Sequence, residues 1–175
     1  MKPIEAYLPF ELMGMDILTN LNETLDGYKH IVVLTDYYTK WPEAFAVKDH
    51  SAKTLAQIIV KEIMSRHGAP ERIITDRGQD FMLDMYRQVM ELIGMKHSPM
   101  TLYHPQMDGQ TERMIGTITG ILARIAETEN DWDVQLLYVL YAYRSMVHKV
   151  TKETPFFMVY GRDPNGPLKI GRAHV

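Results

Sequence analysis

Three carboxylates, Asp16, Asp76 and Glu112, combine residue types and spacing that suit a divalent-metal site. Asp16 and Asp76 are separated by 59 residues, and Asp76 and Glu112 by 35. Asp16 interrupts the apolar segment 12–18, and Asp76 ends the segment 72–75. Glu112 stands at the front of a helical pattern. Carboxylates gathered from two strands and one helix start can hold paired Mg²⁺ or Mn²⁺ ions, which cut and join phosphodiester bonds.

Each of these residues also has an ordinary structural interpretation. An aspartate such as Asp16 in an apolar strand is usually paired with a cation or with hydrogen-bond donors, because a buried unpaired carboxylate is costly. Asp76 begins Asp-Arg-Gly, which is a common turn, and Glu112 in a first helical turn favours the helix dipole. The prediction of a metal site therefore depends on the combination of the three.

The elements that must position the carboxylates begin with an antiparallel meander. Strands are predicted at residues 12–18, 29–36 and 41–47, with a hairpin signal at Asp26-Gly27. Next come a helix from Ser51 to His67, a strand at 72–75, a helix at 82–93, a short strand at 95–98 and a loop at 99–109. Further helices begin near Asp108, at Asn130 or Asp131, and at Thr154. The pattern predicts an α/β domain whose mixed five-stranded sheet, an antiparallel meander plus parallel strands, is flanked by helices.

Apolar residues at helical spacing predict which helix faces are buried. Tyr138 and Tyr141 are interpreted with Trp132 and Tyr143 as core packing rather than as a platform for nucleic-acid bases. The predicted core positions are Leu55, Ile58, Ile59 and Ile63 in the first helix, Ile115, Ile118, Ile121, Leu122 and Ile125 in the third, and Trp132, Leu136, Val139, Leu140, Tyr143 and Val147 in the fourth.

Composition excludes several other kinds of site. The chain of 175 residues has no cysteine, so it forms neither a disulfide nor a thiolate zinc site, which fits an intracellular setting. Its seven histidines do not pair at helical spacing. No apolar stretch is long enough to predict a membrane span. The net charge of −3 is unusual for a DNA-binding protein, and we attribute part of it to active-site carboxylates.

The chain resembles the catalytic core of retroviral-type integrases, and most of all those of gypsy-type LTR retrotransposons. The resemblance follows the family order across residues 9–167 and includes the 35-residue gap between Asp76 and Glu112. The matching motifs are Met15-Asp16-Ile17, Thr35-Asp36-Tyr37, Thr39-Lys40-Trp41, Ile74-Thr75-Asp76-Arg77-Gly78 with Phe81, Tyr103-His104-Pro105-Gln106, Asp108-Gly109-Gln110-Thr111-Glu112-Arg113, and Thr154-Pro155-Phe156 through Tyr160-Gly161-Arg162.

This resemblance implies an RNase H-like fold and a polynucleotidyl transferase that processes DNA 3′ ends and joins them to target DNA. It implies Asp16, Asp76 and Glu112 as catalytic residues and ligands of two Mg²⁺ or Mn²⁺ ions. Double-stranded DNA and further copies of the chain are the implied partners, and no membrane is involved. Integration would occur in the nucleus, after a cytoplasmic particle stage. Six residues are expected to contact DNA: Lys40, Tyr103, His104, Gln106, Gln110 and Arg113. Asp36 matches a family position outside the trio and is expected to cap a turn.

Two features depart from the family pattern. Ile115 and Gly116 stand where the family has asparagine and a basic residue, which predicts weakened DNA binding. Residues 1–167 are assigned to the core. Residues 168–175 are expected to be a non-native or disordered tail, because its last six residues, Ile170-Gly171-Arg172-Ala173-His174-Val175, resemble translated adapter sequence. Two alternatives remain open: a decayed or domesticated core that acts as a non-catalytic binding module, and an RNase H-like nuclease.

Overall fold

The protein is described here from a computed structural model. The structure describes residues 6–19, 21–94, 119–126 and 131–165, and only the backbone of residues 101–103. The strands are β1 (Leu12–Leu18), β2 (His30–Asp36), β3 (Pro42–Val47), β4 (Arg72–Ile74) and β5 (Thr101–Tyr103). Their order in the sheet is β3-β2-β1-β4-β5. Strands β1 to β3 pair antiparallel, whereas β4 runs parallel to β1, so the predicted mixed sheet is confirmed.

The meander forms because β2 is apolar on both of its faces. Ile31, Val32, Val33 and Leu34 are all fully buried. The predicted turn before β2 closes through the Gly27 N–H, which donates to the Thr24 carbonyl at 2.9 Å. Gly27 has φ +82°, a conformation that glycine adopts without steric cost.

The first helix, α1, changes its winding along its length. It is α-helical over Ala52–Ile58, π-helical over Ile59–Met64 and α-helical again over Ser65–His67. Ser51 caps its start, since its side chain accepts a hydrogen bond from the Thr54 N–H. Gly68 at φ +87° ends it. The buried face includes the four predicted residues, Leu55, Ile58, Ile59 and Ile63, together with Ala52 and Ala56.

The second helix, α2 (Gln79–Ile93), begins three residues before the predicted start and ends at Gly94, which is left-handed. Its buried side chains include Met82, Met85 and Val89. Met85 and Val89 share one apolar cluster with α1 and with the β-sheet face that carries Met13, Met15, Val32 and Leu34. Helices α1 and α2 therefore cover one face of the sheet.

The opposite face of the sheet is covered by α3 (residues 119–126) and α4 (Trp132–Ser145). Leu122, Ala126, Trp132, Leu136 and Leu140 pack there against Ile31, Val33 and Ala44. Trp132 is fully buried, and its Nε1 donates to the Asn22 carbonyl at 2.7 Å. The last helix, α5 (Pro155–Tyr160), is capped by Thr154 as predicted.

Several predicted details differ. Ile121 is 41% exposed because Leu122 and Ala126 face the sheet instead, and Val147 lies beyond the end of α4 and is 66% exposed. Tyr138 and Tyr141, interpreted as core, are 73% and 43% exposed. Ile115 and Ile118 lie outside the described residues.

A short strand was predicted at residues 95–98, which also lie outside the described part of the chain. Strand β5 is found at Thr101–Tyr103, inside the predicted loop, and pairs parallel to β4. The flanking prolines favoured a loop, but the Thr-Leu-Tyr sequence between them suits a strand. Within the described ranges, no helix has the length and apolar character needed to span a membrane.

Candidate active site

Two of the three predicted metal ligands come from neighbouring parallel strands. In the β1–β4 ladder the last paired residues are Gly14 and Ile74. Asp16 and Asp76 each follow their strand's paired residue by two positions. Asp16 lies within β1, and Asp76 lies in the bend after β4, where its charge acts on Asp16. The fold thus places Asp16 and Asp76 at the same edge of the sheet.

Asp16 is the more confined of the pair. It is half-buried inside β1, whereas Asp76 is exposed in the bend that follows β4. Asp16 Oδ1 accepts a hydrogen bond from the Ile17 N–H at 2.8 Å. Burial raises the pKa of Asp16, and the charge of Asp76 raises it further, while the Ile17 N–H and the Arg77 guanidinium lower it. A carboxylate whose charge is opposed by burial and by a second carboxylate is stabilised by a divalent cation between them.

The third predicted ligand, Glu112, lies outside the described residues. Asp16 pairs with Val33 in the β1–β2 ladder and shares the sheet face on which α3 packs. Glu112 precedes the described part of α3 by seven residues along the chain. Among the described ranges, no group of three metal-ligating side chains is present. The structure therefore places two of the predicted ligands and leaves the third as a prediction.

Arg77 and Phe81 accompany the aspartate pair. The Arg77 guanidinium lies over the Phe81 ring at 5.5 Å from its centroid, and the Arg77 N–H donates to Thr75 Oγ1 at 3.3 Å. Burial raises the pKa of Asp16 and lowers that of His30, and the charge of Arg77 makes a smaller, lowering contribution to both, so the guanidinium lies near the same sheet edge. A cation held beside two carboxylates can also attract a phosphodiester.

Asp36 has the structural role expected of it. It is fully buried, and its carboxylate accepts hydrogen bonds from the N–H groups of Phe10 at 3.0 Å and Thr39 at 2.8 Å. The Thr39 hydroxyl donates to it as well, at 2.5 Å. Burial raises the pKa of Asp36 and these donors lower it, with a net increase. Asp36 is separate from the aspartate pair, because Phe10 and Thr39 engage its two oxygens.

Of the residues expected to contact DNA, only Lys40 has a described side chain. It has φ +63°, and its ammonium donates to the Tyr37 carbonyl at 2.5 Å. Burial lowers the pKa of Lys40. A DNA phosphate would therefore compete with this turn for the ammonium. Only the backbone of Tyr103 is described, and four expected contacts lie outside the described residues: His104, Gln106, Gln110 and Arg113.

Sequence reasoning missed a second buried carboxylate, Glu43. It is 4% exposed and lies at the sheet edge that β3 forms. Its partners Arg66 and Arg144 are 23 and 101 residues away in the chain, so no local motif reveals them. The available signal was an acidic residue alternating with Phe45 and Val47 on a strand face that is otherwise apolar.

The comparisons with known proteins agree with this geometry. The family described as the integrase core domain matches residues 6–105, which is more than half of the chain. This range contains Asp16, Asp76 and the whole sheet. The chain belongs to the integrase core domain family.

Two curated viral polyproteins are similar over most of the chain. The chain is 33% identical over 150 residues to a Gag-Pol polyprotein of feline leukemia virus and to a Pol polyprotein of radiation murine leukemia virus. Each alignment covers 83% of the chain but only 9% and 25% of the respective polyproteins. The chain therefore corresponds to a small part of these retroviral proteins.

Solved structures show the same fold at low sequence identity. The catalytic core domain of BIV integrase superposes with a TM-score of 0.61 at 18% identity, covering 83% of this chain and 91% of that one. A chain of the simian T-cell lymphotropic virus intasome, solved with a PP2A regulatory subunit, gives 0.59 at 16% identity, covering 98% of this chain and 63% of that one. The RNase H-like architecture of integrase catalytic cores is thereby confirmed.

Proposed function

We propose that this chain is the catalytic core of a retroelement integrase, a divalent-metal-dependent polynucleotidyl transferase that processes DNA 3′ ends and joins them to target DNA. The observation that supports this most directly is the aspartate pair. Asp16 lies in β1 and Asp76 directly follows the parallel strand β4, each two residues beyond the last pair of the ladder, in a member of the integrase core domain family.

The residues present suit Mg²⁺ or Mn²⁺. Carboxylate oxygens are the ligands that these ions prefer, and the pKa of Asp16 is raised in part by the charge of Asp76. Asp16, Asp76 and Glu112 would hold two ions. Bound metal would supply an activated water or DNA 3′-hydroxyl and stabilise the leaving oxygen.

The protein side chains would position the metal ligands and set the charge of the site. Asp16 is fixed within β1 by its strand pairing and by the Ile17 N–H. Asp76 is exposed in a bend, so its carboxylate is open to solvent and to an incoming phosphodiester. Arg77, over Phe81, adds positive charge at the same edge. Water as the nucleophile gives end cleavage, and a 3′-hydroxyl gives strand transfer, with no covalent protein–DNA intermediate.

Double-stranded DNA and further copies of the chain are the proposed partners. One of the similar structures is an intasome, and joining two DNA ends requires more than one active site. Lys40, Tyr103, His104, Gln106, Gln110 and Arg113 are the proposed DNA contacts.

The test is a disintegration assay, in which the protein resolves a branched DNA substrate with Mn²⁺. Asp16→Asn, Asp76→Asn and Glu112→Gln should each abolish resolution, because each removes a proposed metal ligand. Asp84→Asn is the matched control: it alters an exposed carboxylate on α2 and should leave the activity unchanged. Resolution that survives in all three ligand variants would refute the transferase proposal. Metal binding without resolution would favour a non-catalytic module, and cleavage of RNA in hybrids would favour a nuclease.

A further inference from the structure

A cavity lies at the β3 edge of the sheet, away from the aspartate pair. Its volume is about 650 Å³. Glu43 pairs with Leu34 across β2–β3, and Leu34 pairs with Met15 across β1–β2. Because Met15 and Asp16 are adjacent on β1, their side chains point to opposite faces, so Glu43 and Asp16 are on opposite sides of the sheet. The cavity is therefore independent of the proposed catalytic centre.

Glu43 forms the polar floor of this cavity. Its Oε1 accepts from Trp41 Nε1 at 3.0 Å and lies 3.2 Å from His67 Nε2 and 3.4 Å from Arg66 Nη1. Its Oε2 accepts from Arg144 Nη2 at 2.7 Å. Both carboxylate oxygens are thus engaged, and a cationic ligand would have to displace these donors.

The walls of the cavity are aromatic. Trp41 lies edge-on to Tyr160 at 5.5 Å, and Phe156 lies 4.7 Å from Tyr160 between ring centroids. On the other side Phe10, at φ +62°, stacks on His67 at 3.9 Å. Tyr141 also lines the cavity. Such walls suit a flat apolar group.

The polar lining has an excess of positive charge. It comprises the guanidinium groups of Arg66 and Arg144, the His67 imidazole and a single carboxylate. The Arg144 guanidinium also stacks on Trp41 at 4.1 Å, so the face of that ring is already occupied by a cation. Glu62 pairs with Arg66 at 3.4 Å, but Arg162 lies over Phe156 at 5.1 Å and restores the excess. The ligand should therefore carry a negative charge.

The helix ends around the cavity limit how much negative charge a bound ligand can carry. Arg66 and His67 are in the last turn of α1, Arg144 is in the last turn of α4, and Tyr160 ends α5. Helix C-termini carry partial negative charge and disfavour phosphate, which is bound at helix N-termini. A single carboxylate beside an aromatic ring matches the lining better than a nucleotide does.

We infer that this cavity, lined by Trp41, Glu43, Arg66, Arg144 and Tyr160, is a docking site for an acidic peptide segment of a partner protein. An aromatic side chain of the peptide enters between the aromatic walls, and an adjacent carboxylate meets the guanidinium groups at the mouth. Arg66 is 43% exposed, so its guanidinium is accessible to a carboxylate, while Trp41, His67 and Arg144 remain as partners of Glu43.

The test uses the two tryptophans as reporters. Trp41 lines the cavity, whereas Trp132 is fully buried in the cluster on the opposite face. In protein labelled with 5-fluorotryptophan, acetyl-Glu-Phe-Glu-amide should shift the Trp41 fluorine signal saturably and leave the Trp132 signal in place. Acetyl-Lys-Phe-Lys-amide, which lacks the carboxylates, and acetyl-Glu-Ala-Glu-amide, which lacks the aromatic ring, should each bind at least about tenfold more weakly. Signals are assigned with the variant Trp132→Phe.

Two variants keep the inference falsifiable. Arg66→Gln should weaken the acidic peptide roughly threefold to tenfold, and Val159→Phe should fill the cavity and abolish the shift. An unchanged Trp132 signal shows that either variant is folded. The inference is overturned if the acidic aromatic peptide gives no saturable shift, if the lysine peptide binds equally well, or if adenosine monophosphate binds more tightly. It is also overturned if the Trp41 signal changes with protein concentration alone, because a second copy would then occupy the cavity.

Discussion

Asp16 in β1 and Asp76 in the bend after β4 each lie two residues beyond the last pair of the β1–β4 ladder, Gly14 and Ile74. This relationship follows from backbone register and does not depend on a local motif. Burial raises the pKa of Asp16, and the charge of Asp76 raises it further. A divalent cation bound between the two carboxylates would offset both effects.

Asp16→Asn should stabilise the metal-free protein. A raised pKa means that Asp16 contributes stability only when protonated, below its unfolded value near 3.8, and that this contribution is lost as pH rises through the folded pKa. At neutral pH the ionised group therefore opposes folding, and the asparagine removes that opposition. We expect a rise in Tm on the order of 1–3 °C without metal, measured by differential scanning fluorimetry.

The same variant should lose the response to metal. Mn²⁺ should raise the Tm of the wild type and leave that of Asp16→Asn unchanged, since binding to the folded state alone stabilises it. Asp84→Asn, at an exposed position on α2, is the control and should respond as the wild type does. An equal metal response in Asp16→Asn would place the ion elsewhere.

Glu43→Gln should be strongly destabilising. Removing the charge leaves Arg144 and His67 without their buried carboxylate, and such losses cost about 2–4 kcal/mol at partly accessible sites. Urea unfolding followed by circular dichroism measures the loss. Glu62→Gln is the matched control: its side chain is 45% exposed, and its removal should cost less than about 1 kcal/mol. Equal costs for the two variants would show that the Glu43 network adds little.

Glu43 should also make the free energy of unfolding depend on pH in the acidic range. Burial alone would raise its pKa, but the His67 hydrogen bond and Arg144, with Trp41 and Arg66, lower it below the usual 4.5. A lowered pKa contributes stability that is complete above the unfolded value and is lost as pH falls through the folded one. Between about pH 5 and about pH 3, the wild type should lose more unfolding free energy than Glu43→Gln does. If the unfolding free energies of the two proteins changed with pH in parallel, the lowered pKa of Glu43 would be contradicted.

Gly120→Ala should stabilise α3. Gly120 is exposed within the helical segment 119–126, and a Cβ there would meet no atom of the described residues within 4 Å. Alanine is favoured over glycine in a helix by up to about 1 kcal/mol. Gly94→Ala is the contrasting variant, since its surroundings are equally open but its φ of +67° strains any residue with a Cβ. In thermal unfolding, Gly120→Ala should raise the Tm and Gly94→Ala should lower it. A lower Tm for Gly120→Ala would argue against a helix at that position.

The double variant Ile115→Asn, Gly116→Lys should tighten DNA binding. It restores the polar and basic residues that the family pattern has at these positions, and each added phosphate contact increases affinity in a salt-dependent manner. Fluorescence anisotropy with a labelled duplex, read at two salt concentrations, measures the gain. No gain in affinity would show that these positions do not lie along DNA.

Local sequence patterns were sufficient for most elements of the fold. Strand β1 has the predicted bounds, because an apolar run flanked by turns suits one buried strand. Ser51, Gly68 and Thr154 act as the predicted helix boundaries, since caps depend on a few adjacent residues. The aspartate pair was found from spacing together with the family resemblance.

Other features depend on contacts that no local pattern records. The π-helical stretch Ile59–Met64 keeps apolar residues on the core side, but its extra winding has no marker in the sequence. The exposed Tyr138 and Tyr141 have the same aromatic character as buried residues, and only the position of α4 on the sheet distinguishes them. Glu43 was missed because its partners come from distant helices.

The most direct test of the proposed metal centre is diffraction from crystals soaked in Mn²⁺, recorded for its anomalous signal. The proposal predicts anomalous density in contact with the carboxylates of both Asp16 and Asp76, with Glu112 completing the coordination, and no such density in Asp76→Asn crystals. Mn²⁺ bound elsewhere, with Asp16 and Asp76 contacting only water or protein donors, would contradict the assignment of this pair as the catalytic metal site.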